Sequence, residues 1–517
     1  MQDEHVVLVF DVGTQSARAM LVNSNGETLG KCKKAYDKPY WSDAVDWAEQ
    51  DADFYYDCMC EAAQACKAQF PDAWKKIEAV SFTTIRDTVI CVDKNGTPLR
   101  PAIVWLDKRM AKGKPQFSPP LKAALKAIGM ESTVNVQYAK SHSNWIREEE
   151  PDVWVKTHKF LLLSGYLIFK MTGVFADADA ALIGHIPFNN KKRAWDKPSA
   201  LTFSVFPLER EKMCSVVKSG CIAGYITEKM AADSGLEKGL PVYATGSDKA
   251  CEVLGLGCIE EDKAAIGLGT TATITYMSPK YVEPERFIPA YAACVPNCWN
   301  PEIQIYRGYW LISWFKKEFA AKEVVEAEKR GVRPEQLLDD ELKSIPAGCD
   351  GLLFQPYFTP NVTMPTARGA MIGFSDVHTR LHLYRAIVEG INFALIDGMK
   401  TIEKRTGKKF TSVTLGGGGS QSDEICQITA DMFALPVIRT HEFEATGIGC
   451  ALTAFVGMGV FSDYKAAVSK MVRVENVFEP RQEFVKIYSD LYNNVYKKIY
   501  GRLLPLYNTL RDIYHTA

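Results

Sequence analysis

The sequence lacks most of the features that would place it at once. No apolar run approaches the ~18 residues needed to cross a bilayer. The start, Met1 to His5, carries acid rather than base ahead of the short run Val6–Phe10. No secretory leader is therefore expected, and the chain reads as cytoplasmic with no membrane partner. Neither charge is in excess: 61 Lys and Arg stand against 62 Asp and Glu, a net of -1. With no basic surplus to displace counterions, no nucleic-acid partner is expected. Cysteine is sparse, 14 in 517 residues, too few for a disulfide scaffold. There is no C-x-x-C, and the closest pairs, Cys58 with Cys60 and Cys294 with Cys298, lack a second pair or a His at zinc spacing. Most thiols lie in apolar runs, as Cys91 and Cys450 do, where they act as small hydrophobes. G-x-x-x-x-G-K-[ST], G-x-G-x-x-G and H-E-x-x-H are all missing, which removes the P-loop, the dinucleotide fold and the zinc peptidases. His378 and His382 form the one helical His pair, and a helix entry at the surface explains them better than a metal.

What remains is an ordinary globular mixture, 47% hydrophobic and 24% charged. At about 150 residues per domain, the length predicts several domains. Val6–Phe10 reads as a buried strand stopped by Asp11-Val12-Gly13-Thr14, and Arg18–Val22 as its hairpin partner, closed by Asn23-Ser24-Asn25-Gly26. Residues 51–68 carry a helical apolar face. Ala79–Phe82 and Thr88–Val92 read as another hairpin with Asp93–Gly96 as its turn. Further on, Thr411–Leu415 enters Gly416–Gly419 and a helical run from Asp423 to Phe433. Tyr488, Tyr492, Tyr496 and Tyr500, four apart near the C-terminus, are expected to pack against the domain.

One partial repeat organises the chain. Val9–Ser16 resembles Ala265–Ala272: each is an apolar strand broken at a Gly-Thr pair and resumed as a second strand. The copies lie about half the chain apart, as two similar halves facing one another across a cleft would place them. Two coincidental Gly-Thr turns would look the same.

Four segments could carry chemistry. In Asp11-x-Gly13-Thr14-x-Ser16-x-Arg18, backbone N–H groups, a hydroxyl and a guanidinium could meet anionic oxygens. Asp11 beside them suits a hard cation such as Mg²⁺, held through water. An ordinary Asp-Gly hairpin is the plainer reading. Gly267-Leu268-Gly269-Thr270-Thr271 offers the same donors from the other half, or a tight turn between buried strands. Gly416–Gly419 would let a ring or ribose approach the backbone ahead of a helix N-terminus, or serve as a linker. Finally, Thr245-Gly246-Ser247-Asp248-Lys249 puts one carboxylate at a helix start, where it is either a cap or a base for a substrate hydroxyl.

Together, in this order, these segments resemble the FGGY family of carbohydrate kinases. Further matches are Trp105-Leu106-Asp107-Lys108-Arg109, Gly235–Val242 leading to Asp248, Gly369–Phe374 with His382–Ala386, and Glu444–Ala451. The resemblance spans nearly the whole chain. It implies an α/β fold of two ribonuclease-H-like domains of the actin/hexokinase type facing a central cleft. Residues 1–258 would bind the sugar and carry the base, and 259–517 would bind the nucleotide. It implies ATP and Mg²⁺, with Asp248 as general base and Asp11 helping to hold the metal. Gly13, Thr14, Arg18, Gly269, Thr270 and Thr271 would meet phosphates, and Gly417 and Gly418 the adenosine. Thr84-Ile85-Arg86-Asp87-Thr88 is similar to the glycerol-kinase branch, yet Lys249 departs from it. Arg86, Asp87, Trp105, Asp248 and Lys249 are then the expected sugar contacts. The small-molecule acceptor is expected to be a ketopentose such as xylulose or ribulose. Glycerol or an open-chain signalling sugar is the alternative, and an actin- or chaperone-like ATPase the reading from another class. A homodimer is the expected assembly.

Overall fold

Seven consecutive buried residues, Val6–Val12, form the first strand (β1), and that all-round burial requires cover on both faces of its sheet. The structure, a computed structural model, describes residues 4–285, 288–361 and 363–514. The chain divides into two compact units. The first takes Met1–Gly255 together with Tyr291–Trp299 and Thr446–Met471; the second takes Leu256–Ala290, Asn300–Ala445 and Val472–Ala517. A single cut after residue 258 thus omits two segments that return to pack with the first unit.

In the first unit β1 is joined by β2 (Ser16–Asn23), β3 (Thr28–Ala35), β4 (Ile77–Thr84), β5 (Ile222–Tyr225) and β6 (Pro241–Tyr243), in the order β5-β6-β4-β1-β2-β3. The first three run antiparallel as a meander; β4 lies parallel to β1, and β6 parallel to β4. The second unit repeats this plan. Its strands are β7 (Lys263–Leu268), β8 (Ala272–Tyr276), β9 (Glu302–Ile305), β10 (Ser412–Gly416), β11 (Val437–Thr440) and β12 (Val474–Phe478), ordered β9-β8-β7-β10-β11-β12. Again three antiparallel strands precede two parallel ones, and an antiparallel strand ends the sheet. The Gly-Thr repeat of the sequence marks the same hairpin in both sheets, β1 to β2 and β7 to β8.

Helices cover the sheets. In the first unit α1 (Ala52–Gln69) starts where the Asp51 carboxylate accepts the Asp53 N–H, as an N-cap does, and buries its apolar stripe on β2 and β3. With α2 (Leu163–Thr172) it helps close a core that includes Phe10, Leu21, Tyr55 and Tyr166. The longest segment of this unit ends in α3 (Asp248–Gly255). In the second unit α4 (Arg380–Thr406) crosses its sheet, and α5 (Asp423–Phe433) follows the glycine run. Tyr488, Tyr492 and Tyr496 are buried, all three in ring contact with Phe393, as their spacing predicts.

One expectation fails. The runs 79–82 and 88–92 do not form a hairpin: the first belongs to β4, whereas Val89–Val92 pairs with Lys159–Leu162 in a separate four-stranded sheet. Both runs are apolar, and apolarity does not name a strand's partner. The Asp93–Gly96 turn instead folds the chain back so that Val92 bridges Pro98.

Candidate functional site

Parallel strands in an open α/β sheet present their carboxyl ends, and the loops leaving those ends, to a ligand. In the first unit β1, β4 and β6 are the parallel set. Asp11 and Thr14 leave the end of β1, Arg86 and Asp87 follow β4, and Asp248 follows β6. The sheet's topology therefore gathers residues separated by more than half of that unit's chain.

Asp248 opens α3, and its Oδ1 accepts the Lys249 backbone N–H at 2.8 Å. The capping bond is made by Ser247, whose Oγ accepts the Ala250 N–H at 3.4 Å, while the Asp248 side chain keeps 33% of its surface accessible, with Arg86 Nε 3.5 Å from Oδ1. Burial pushes the Asp248 carboxyl above its ordinary value; Arg86 and Lys249 oppose that without cancelling it. The Arg86 guanidinium is fixed by Nε donating to Ser247 Oγ at 3.1 Å and by the Tyr291 ring, 5.0 Å away. Lys249 turns toward Glu252, with Nζ to Oε2 at 2.7 Å, so much of its charge is balanced within the helix.

Asp11 and Arg18 are cross-strand partners in the first hairpin, and Arg18 Nη1 donates to Asp11 Oδ2 at 2.6 Å. The Gly13 N–H is used inside the turn, donating to Ser16 O at 3.0 Å. Thr14 accepts the Trp105 indole N–H at Oγ1, 3.0 Å away, which ties an expected phosphate contact to an expected sugar contact. Among the described residues, no three or more His, Cys, Asp or Glu side chains converge on a metal position.

Asp107, in the segment Trp105–Arg109, is held by structure. Its carboxylate is fully buried, accepting Arg109 Nε at 2.8 Å, Arg109 Nη2 at 2.7 Å and the Ala48 N–H at 2.6 Å. Arg109 in turn packs against the rings of Trp47 and Trp145, at 3.9 and 4.6 Å from their centroids. This Asp-x-Arg pair locks a loop rather than meeting a ligand.

In the second unit β7 and β10 are the neighbouring parallel strands, so the Gly269-Thr270-Thr271 turn and the glycine run leave the same edge of the sheet. Thr270 is exposed, and Gly269 and Thr271 are half-buried. Gly417 has a φ of 82°, and an added Cβ would lie 2.8 Å from Leu268 O, so only glycine fits there. A Cβ on Gly419 would come within 2.5 Å of the Tyr309 ring, whereas one on Gly418 would meet nothing within 4 Å. Gly418 therefore borders open space at the strand end.

Sequence reasoning missed His185 and Asp339. His185 Nδ1 lies 2.6 Å from Asp87 Oδ2, and the only trace in the sequence is a lone Gly-His pair. Asp339, on the helix Pro334–Leu342, accepts the Tyr384 hydroxyl at 2.7 Å, and burial pushes its carboxyl up to about 6.

The chain resembles known proteins over nearly its whole length. The chain is 28% identical over 495 residues to YgcE, an uncharacterized sugar kinase of Escherichia coli (strain K12), covering 95% of this chain and 93% of that protein. It is 28% identical over 517 residues to the xylulose kinase of Bacillus subtilis (strain 168), covering 98% and 99%. The crystal structure of gluconate kinase from Lactobacillus acidophilus superposes with a TM-score of 0.79 at 20% identity, over 100% of this chain and 99% of that one. Residues 6–255 match the N-terminal domain and residues 264–458 the C-terminal domain of one family. On two sheets of one plan and two matching domain patterns, the chain belongs to the FGGY family of carbohydrate kinases, with the two-domain actin/hexokinase-type fold and ATP as the phosphate donor of its reaction.

Proposed function

We propose that this kinase phosphorylates a hydroxyl of a neutral, open-chain sugar or polyol, a ketopentose such as xylulose or ribulose, with Asp248 as general base. The observation that carries the reading is the Asp248 carboxylate, accessible at a strand end, raised by burial and set 3.5 Å from Arg86. An arginine and two carboxylates suit a hydroxyl-rich ligand: Arg86 donates, Asp87 and Asp248 accept, and Trp105 offers an apolar face.

In this mechanism the sugar hydroxyl gives its proton to Asp248 as its oxygen bonds to the γ-phosphorus, and the bond from that phosphorus to the β-phosphate oxygen breaks to release ADP. Phosphoryl transfer asks the protein for in-line positioning and charge neutralisation more than for covalent help. Gly13, Thr14, Arg18, Gly269, Thr270 and Thr271 are assigned to the phosphates, and Gly417 and Gly418 to the adenosine. Asp11 would hold Mg²⁺ through water. A single carboxylate suits an ion whose other ligands are water and phosphate oxygens, and the ion would offset phosphate charge.

A screen of ADP release over ketopentoses, polyols, glycerol and sugar acids tests the acceptor. The expected result is strong stimulation by a ketopentose and little by glycerol. Preference for glycerol would move the reading to the shorter polyol, and release indifferent to every acceptor would leave an ATPase.

The nucleotide assignment has its own test. Gly418→Ala adds a methyl that touches no protein atom. It is expected to leave the melting temperature unchanged and raise the KM for ATP about tenfold, equivalent to ~1.4 kcal/mol. An unchanged KM would remove Gly418 from the adenosine site.

A further inference from the structure

Asp87 is unusual before its chemistry is considered. Its φ is 51°, in the left-handed region that few residues other than glycine adopt, so neighbouring structure must hold it there. Residues 183–185 supply the hold. The Asp87 N–H donates to Ile183 O at 3.2 Å, and the His185 N–H donates back to Asp87 Oδ1 at 3.1 Å. The His185 ring closes the clasp, with Nδ1 2.6 Å from Oδ2. Gly184 is required at the centre, because an added Cβ would lie 2.5 Å from Asp87 Oδ1. Behind the loop, Ser141 Oγ donates to His185 O at 3.2 Å, and the Phe206 ring meets the imidazole edge-on.

The clasp leaves the carboxylate usable. Asp87 and His185 keep 21% and 26% of their side-chain surface accessible, and an ionised carboxylate has about four acceptor positions, of which the clasp takes two. Burial alone would raise the Asp87 carboxyl, but His185 and His142 outweigh it and hold it below its ordinary value.

We propose that His185 is a positioning residue for sugar binding: with Ile183 and Gly184 it fixes Asp87 as an ionised acceptor for substrate hydroxyls. The inference rests on the reading of Asp87 as a sugar contact. It also states what meets Asp87, namely hydroxyl donors, since a substrate carboxylate there would face a fixed negative charge.

The test uses the full chain, with D-xylulose, D-ribulose, glycerol and D-gluconate as acceptors. For the best neutral acceptor, His185→Ala is expected to raise KM about tenfold or more while kcat and the KM for ATP stay within about threefold, the loss of one charge-assisted hydrogen bond. His185→Asn, whose side-chain N–H can take the place of Nδ1, should restore KM to within about threefold. In an Asp87→Asn background, His185→Ala should add nothing further, because its partner is already gone. Additive effects in that cycle would overturn the proposal, as would an unchanged KM or losses in kcat and ATP affinity that Asn does not rescue. If wild-type protein releases ADP with none of the four, the acceptor reading itself falls and takes this inference with it, an outcome distinct from a failed cycle.

Discussion

Replacing Asp248 by Asn is expected to lower kcat about 10²- to 10⁴-fold, equivalent to roughly 3–5 kcal/mol of transition-state stabilisation, while ATP binding stays nearly intact. The change is close to isosteric. An amide oxygen can still accept the Lys249 N–H that Asp248 Oδ1 accepts at 2.8 Å, and the Ser247 cap on α3 is untouched. What is lost is a group able to take a proton. The pH dependence carries the same signature. The base must be ionised, so activity is present above its pKa and falls away below it. Because burial raises the Asp248 carboxyl of the free enzyme, the acid limb of kcat/KM is expected above an ordinary aspartate's value, and Asn should abolish that limb. Steady-state rates across pH, with calorimetric titration of ATP, measure both effects. Wild-type turnover in the Asn variant would take Asp248 out of the chemistry.

The second large effect is on stability. Arg109 is almost wholly buried, its Nη1 2.8 Å from Glu49 Oε1 and its other nitrogens on Asp107, with the rings of Trp47 and Trp145 packed against its guanidinium. Arg109→Ala leaves the buried Asp107 carboxylate without its cation, takes one of two arginines from Glu49, which keeps Arg100, and opens a hole beside the indoles. Breaking such a pair from one side costs about 3–5 kcal/mol. Thermal unfolding should show an early loss of the first unit. Replacing Asp107 and Arg109 together should cost less than the sum of the single changes, because neither then leaves the other unpaired. A melting temperature unmoved by Arg109→Ala would contradict the structural role assigned to this pair.

The residues at the strand ends were the most legible part of the sequence. Gly-Thr at residues 13–14 and 269–270, the glycine run and Asp248 each follow an apolar strand, and the shared sheet topology puts the two Gly-Thr turns at matching positions. Asp11 with Arg18 was partly readable: once β1 and β2 are taken as a hairpin, the two fall opposite each other. The structural role of Asp107 was not legible, because a charged residue within a Trp-x-Asp-x-Arg segment looks the same whether it meets a ligand or an arginine. Its partner Ala48, and Trp47 against Arg109, lie about sixty residues away, beyond the reach of local patterning. His185 was illegible for a related reason. A single histidine carries no spacing, and only the fold brings it to Asp87. The run 79–92 shows the same limit for strands, since period and composition identify them without saying to which sheet each belongs.

The central claim is that the γ-phosphoryl group goes to a sugar hydroxyl activated by Asp248. The most direct measurement is product stoichiometry, following phosphorus-31 signals while the purified protein consumes ATP with its preferred acceptor. One sugar phosphate should appear for each ADP, with inorganic phosphate only a minor product, as expected of a site that keeps water from the reaction. Equal amounts of ADP and inorganic phosphate, with the sugar returned unchanged, would contradict the account.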